Sequence, residues 1–143
     1  MTGAERRIRA LFVCVENCCR SQMAEAFARL HGGGRVEAHS AGTRPSGRVH
    51  PKAIAAMQEV GYDLGPHRSK GLAEVPDVTF DVVVTMGAGD LGGRVRAWRR
   101  EDWDVPAPKG LPPEQFRAVR DLIEGKVRAL LAGLRPHREG EDG

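Results

Sequence analysis

The chain has 143 residues and a mass of 15.5 kDa, enough for one domain spanning 1–143 and too little for a second. With 41% hydrophobic and 29% charged residues it is neither disordered nor fibrous. Lys+Arg 22 against Asp+Glu 19 leaves a formal net charge of +3, which excludes a strongly basic surface and gives no reason to expect a nucleic-acid partner. All three cysteines fall between positions 14 and 19. Such a cluster is no disulfide framework and points to a reducing, cytoplasmic compartment. The first apolar run, 10–15, is too short for a signal-peptide core or a membrane span, so no membrane partner is expected.

In chain order, Ile8 to Val13 reads as a buried strand, short and rich in large apolar residues. Met23, Ala26, Phe27 and Leu30 then recur at helical spacing until Gly32-Gly33-Gly34 stops the pattern. Val36 to Ser40 is a second strand. Pro51 opens a helix whose apolar face is Ala53, Ile54, Met57 and Val60, closed by Gly61. Phe80 to Met86 is the clearest strand, its β-branched run typical of one covered on both faces. Trp103 to Val105 reads as a fourth. Phe116, Val119, Ile123, Val127, Leu130 and Leu134 stripe a closing helix, and 134–143 is expected to be a frayed tail. Strands alternating with helices give an α/β fold with a parallel sheet covered on both faces. In such folds ligands sit at the carboxyl ends of strands, which directs attention to the segment after the first strand.

That segment, 14–21, reads C-V-E-N-C-C-R-S, and only Cys14 has an arginine six places on. A tight loop entering a helix aims successive backbone N–H groups at one point, an anion cup in which a cysteine is favoured as thiolate. Arg20 can grip two oxygens of a tetrahedral oxyanion with its planar fork. Ser21 can donate to the sulfur, and Asn17 can hold the loop's shape. The plainer alternative makes Cys14 a small apolar residue ending a strand and Arg20 a surface residue. A zinc site is disfavoured because the three cysteines lack the usual spacing, so no metal is expected.

The stretch L-F-V-C-V-E-N-C-C-R-S-Q-M-A-E-A-F resembles the active-site segment of arsenate reductases built on the low-molecular-weight protein tyrosine phosphatase fold. Ser40-Ala41-Gly42-Thr43, His50-Pro51-Lys52-Ala53, Gly61-Tyr62-Asp63-Leu64, His67-Arg68-Ser69-Lys70 and Val84-Thr85-Met86 follow in the same order. The resemblance covers roughly 8–132 and implies a four-stranded parallel sheet flanked by helices on both faces. It also implies Cys14 as nucleophile and Arg20 as oxyanion clamp. Val15, Glu16, Asn17, Cys18 and Ser21 are the implied supports of the anion loop, and no cofactor beyond an external thiol reductant, thioredoxin or a small thiol, is implied.

Two departures stand out. Thioredoxin-coupled relatives carry further cysteines after the third strand, where this chain reads Met86-Gly87-Ala88-Gly89-Asp90-Leu91-Gly92-Gly93. Either Cys19 or Cys18 therefore resolves the adduct locally, or an external thiol does. Relatives also place an Asp before a Pro in the loop after the fourth strand, where Ala107 precedes Pro108; Asp104 or Asp102 remains as the candidate general acid. By the same resemblance Lys70 either takes the place of a potassium ion beside the loop or is a plain surface lysine. Arg94, Arg96, Arg99 and Arg100 are expected near the site mouth, steering anions. The expected activity is arsenate reduction on arsenate held by the loop. The alternatives are a phosphatase acting on a phosphoester, or an oxyanion-binding or redox-sensing module with weakened turnover.

Overall fold

The structure is a computed structural model and describes residues 6–137. Its strands are β1 (Ile8–Cys14), β2 (Val36–Gly42), β3 (Thr79–Phe80), β4 (Val82–Thr85), β5 (Arg96–Ala97) and β6 (Arg100–Asp102); its helices are α1 (Arg20–Gly32), α2 (Pro51–Gln58) and α3 (Pro113–Gly133). Four strands form a parallel sheet in the order β2-β1-β4-β6, and β3 pairs with β5 in a separate parallel ribbon. This is the four-stranded parallel α/β sheet expected from the sequence, but α1, α2 and α3 all pack into one core on one face of it, not on both faces as expected. The chain leaves β1 for β2 on one side and reaches β4 on the other. The order therefore switches at β1, and the crevice lies at its carboxyl end, at Cys14.

β1 is buried on both faces. Ile8, Ala10, Phe12 and Cys14 join the core shared with α1, α2 and α3, while Leu11 and Val13 face a second cluster with Phe80, Val83, Leu91 and Val95. The second face is covered by 3₁₀ turns, Leu72–Glu74 and Gly92–Arg94, and by the β3–β5 ribbon. Within α1, Met23, Ala26 and Phe27 are buried as expected, but Leu30 is 44% exposed. Trp103 anchors the far edge, its ring centroid 6.0 Å from that of Phe12.

The expected strand over Phe80 to Met86 is broken at Asp81, which is buried at 3% exposure. Its carboxylate accepts from Arg6 Nη1 and Nη2 (2.8 Å each), from the Arg9 N–H (2.7 Å) and from the His137 N–H (2.6 Å). Four donors on one carboxylate turn a strand position into a clamp that ties both ends of the described chain to the sheet's amino end. Residues 134–137 are accordingly packed and not frayed, with the His137 ring stacked on Trp98 at 3.8 Å; the rest of the expected tail lies outside the described residues. The fourth sheet strand is Arg100–Asp102, three residues before the expected Trp103–Val105. A polar edge strand carries no apolar run to announce it. The ladder goes one bond further, Trp103 N–H to the Thr85 carbonyl at 2.8 Å. Soon after come Pro106 and Pro108, which have no N–H to give.

Burial would raise the Asp81 pKa, but the hydrogen bonds from Arg6, Arg9 and His137 outweigh it and hold the carboxyl below its ordinary value. A depressed acid stabilises the fold above its unfolded pKa of about 3.9, and that contribution is lost as pH falls through the folded value. Asp81→Asn should cost about 2–4 kcal/mol in urea unfolding at pH 7. The gap to the unmutated protein should close as the pH is taken below 4, the range set by the unfolded pKa of about 3.9.

Candidate active site

Between β1 and α1 the chain folds into a loop whose carbonyls are all turned outward. The N–H groups of Thr43, Arg44 and Ser46 bond the carbonyls of Cys14, Val15 and Glu16 (3.1, 2.8 and 3.0 Å). His50 N–H takes the Cys18 carbonyl, Met23 N–H that of Cys19, and Gln22 Nε2 that of Asn17. The N–H groups of Glu16 to Cys19 have no acceptor among the described residues, and donors without acceptors leading into a helix start make an anion site. The loop fits against β2 only because position 42 is glycine: a Cβ there would lie 2.5 Å from the Val15 carbonyl oxygen.

Asn17 sits at the turn with φ 52°, the left-handed region that Asn tolerates. Its side chain is wholly buried, and its orientation is fixed. Oδ1 accepts from the Lys70 N–H (2.9 Å), which can only donate, so Nδ2 faces Ser21 Oγ and donates to it at 2.7 Å. The Ser21 hydroxyl proton is thereby left for Cys14 Sγ, 2.9 Å away. A negative charge on that sulfur would meet a donor already in place.

The chain of donors runs deeper than the sequence suggested. Gln22 Nε2 donates to Asn17 Oδ1 (2.9 Å) and to the Arg68 carbonyl (3.0 Å), so Gln22 Oε1 accepts from His67 Nδ1 (3.0 Å). His67 Nε2 then accepts from the Tyr62 hydroxyl at 2.8 Å. Burial pushes the His67 pKa down, with the nearby Glu25 charge opposing, which keeps the ring in the neutral form this pattern needs. Below lies buried Glu25, which accepts from Ser40 Oγ (2.6 Å) and pairs with Arg29. Lys70 Nζ is 3.9 Å from Glu25 Oε1 and its side chain is only 16% exposed, so it is not a plain surface lysine. Gln22, Glu25, Ser40, Tyr62 and His67 were not singled out from sequence. Gln22, Glu25 and Arg29 do run as a polar stripe at helical spacing beside the apolar one, and that was the signal available.

Arg20 is held from two sides. Its Nη1 donates to the Val105 carbonyl (3.1 Å), and its guanidinium lies against Gly87, where a Cβ would be 2.9 Å away. With φ 73° Gly87 has a second reason to lack a side chain. The loop after β6 thus reaches the site, and Lys109 Nζ bonds Glu16 Oε1 (3.0 Å) at the rim. Asp104 in that loop is exposed, while Asp102 accepts from Thr85 Oγ1 at 2.7 Å. The arginines expected at the mouth lie elsewhere. Arg100 pairs with Val83 and the Trp98 N–H bonds the Phe80 carbonyl, which puts that stretch at the amino end of the sheet. The parallel direction of β6 dictates this: its start, not its end, carries the arginines.

Cys18 and Cys19 have their sulfurs 3.7 Å apart. The hydrogen bond between them lowers the Cys18 pKa, while Cys19 is pushed up by that same bond, by burial and by the charge of its neighbours. Among the described residues no group of three His, Cys, Asp or Glu side chains is placed to hold a metal ion.

A thiol at the base of an N–H cup, at the switch point of a parallel α/β sheet, defines a cysteine-dependent oxyanion site. The chain belongs to the low molecular weight phosphotyrosine protein phosphatase family, whose family model matches residues 9–139. It is 39% identical over 129 residues to a glutaredoxin arsenate reductase from Synechocystis, covering 88% of this chain and 98% of that protein. Arsenate reductase 1 of Staphylococcus epidermidis is 37% identical over 122 residues, 83% of this chain and 92% of that one. A solved arsenate reductase in the phosphate binding state matches with a TM-score of 0.83 at 37% identity, covering 90% of this chain and 99% of that one.

Iodoacetamide labelling tests the cup. Saturating phosphate should slow alkylation of Cys14 by about tenfold or more while protecting Cys18 less, as read by peptide mapping. Ser21→Ala should slow Cys14 alkylation several-fold without phosphate.

Proposed function

We propose that this chain is an arsenate reductase in which Cys14 is the nucleophile and Arg20 the oxyanion clamp. The observation that carries the reading is the donor chain from Tyr62 to Cys14, which ends on the sulfur at the base of the loop. Arsenate is held by the loop N–H groups and Arg20, and the Cys14 sulfur attacks arsenic(V) with loss of water. A second thiol then attacks the Cys14 sulfur. An S–S bond forms, the S–As bonding pair stays on arsenic, and arsenite leaves as arsenic(III). Lys70 balances Glu25 beneath the loop, in place of a bound cation.

An external thiol is the favoured second thiol, a small thiol or a thioredoxin- or glutaredoxin-type protein. The chain's three cysteines all lie in 14–19; of the two expected local partners, Cys19 is held protonated by burial and by Cys18, which makes it a poor nucleophile, and Cys18 is engaged with Glu16 and Cys19. The glutaredoxin named in the Synechocystis relative supports the same choice. Free thiols at all three positions suit a reducing compartment such as the cytoplasm; no helix among the described residues is long and apolar enough to cross a membrane.

Arsenite release with glutathione plus glutaredoxin, or with thioredoxin, measures the activity directly. Cys14→Ser should abolish it and Arg20→Lys should lower kcat/KM by about 10²-fold. Aryl-phosphate hydrolysis should be slow, because Ala107 supplies no proton to the leaving oxygen. Ala107→Asp should raise phenyl phosphate hydrolysis about tenfold and p-nitrophenyl phosphate hydrolysis less, the signature of general-acid catalysis.

A further inference from the structure

That mechanism leaves Cys18 and Cys19 reduced, side by side and unused. We propose that Cys18 and Cys19 form a two-thiol site for trivalent arsenic, which captures the arsenite formed at Cys14. Only the source of the arsenic rests on the reductase reading; the site itself does not.

Adjacent residues in a strand point to opposite sides, and in a helix they diverge by about 100°. Here the backbone of Cys19 is neither, at φ −134° and ψ −77°, and the two sulfurs meet at 3.7 Å. The arrangement is fixed from outside, because the Cys18 carbonyl is bonded by His50 N–H (3.0 Å) and the Cys19 carbonyl by Met23 N–H (2.9 Å). Cys14 stands apart, its sulfur engaged with Ser21.

Trivalent arsenic is a soft, thiophilic centre, and two sulfurs already held at contact distance close a ring on it with little further loss of entropy. In the reaction As(OH)₃ loses two hydroxyl groups as water, taking the thiol proton of each cysteine, and two As–S bonds replace two As–O bonds. Arsenic stays at the +3 state and no electrons move. With no third metal-ligating side chain converging among the described residues, the third valence keeps hydroxide or takes an external thiol. Cys18 Sγ also lies 3.5 Å from Glu16 Oε1, which binds the Lys109 ammonium at 3.0 Å; the carboxylate raises the Cys18 pKa and the bond with Cys19 lowers it.

Phenylarsine oxide, which offers two valences to thiols, is the probe. Added to the reduced protein, it should bind one to one and lower the free thiols from three to one. Iodoacetamide should then alkylate Cys14 alone, and a dithiol such as 2,3-dimercaptopropanol should restore Cys18 and Cys19. Alkylation at Cys18 or Cys19 in the loaded protein, or no loss of thiols, overturns the proposal. Loss of all three thiols, which takes a second molecule of the probe, also overturns it, because Cys14 is then a ligand. Cys18→Ala should lower the β-mercaptoethanol concentration that strips the probe by about tenfold or more, since the second bond is no longer intramolecular. Cys14→Ser should bind as the unmutated protein does, and equal loss in both variants would also count against the pair. A protein that captures the probe but reduces no arsenate would sink the catalytic reading and keep this site; the reverse result would do the opposite.

Discussion

The geometry of the site depends on one buried amide. Asn17 has the left-handed φ that lets the loop turn, and its side chain sets the direction of every bond that reaches the sulfur. The Lys70 N–H cannot accept, so Asn17 Oδ1 must face it and Nδ2 must face Ser21. An aspartate at this position would present an acceptor to Ser21, and the hydroxyl would turn away from Cys14. Leaving such a buried group unpaired costs about 1–3 kcal/mol. The same bond also orients Ser21, the partner of the Cys14 sulfur, so the stability of the loop and the setting of that sulfur draw on it together.

Beneath the loop the protein buries a polar layer that a purely apolar core would exclude. A buried carboxylate such as Glu25 costs several kcal/mol unless it is paired and hydrogen-bonded. Ser40 and Arg29 supply the bonds, and Lys70 adds a nearby ammonium. Burial pushes the Lys70 pKa down while the charge of Glu25 opposes it. The layer couples the segment of Lys70 to the loop after β1, to α1 and to β2, since Lys70 gives its backbone N–H to Asn17, its side chain to Glu25, and its carbonyl to the Gly42 N–H (2.9 Å).

Elements that bury an apolar face were legible in the sequence, and those held by polar contacts were not. β1, α1, β2, α2 and α3 carry period-2 or period-3.6 patterns, or short apolar runs, and fall where the patterns put them. β5 and β6 are short, arginine-rich edge pieces with no such period. Asp81 looked like a polar interruption in a β-branched run, because its partners, Arg6 and His137, are 75 and 56 residues away. In the site, Cys14, Asn17, Arg20 and Ser21 are contiguous and were readable as a unit. His67 and Tyr62 reach them only through Gln22, a tertiary contact that no spacing rule encodes.

The placement of the thiols shapes the chemistry left to the chain. The segment after β4, where the resemblance implied cysteines, instead carries Gly87 against the Arg20 guanidinium. A side chain there would push the clamp off the cup, so this segment is committed to positioning Arg20. Cys14, which ends β1 beneath the loop, is only 3% exposed. Beside the loop stand the Glu16–Lys109 pair and the Val105 carbonyl that holds Arg20, contacts between the loop and its neighbour after β6. The loop thus joins an exposed charge pair, Glu16 and Lys109, to backbone N–H groups that have no acceptor among the described residues.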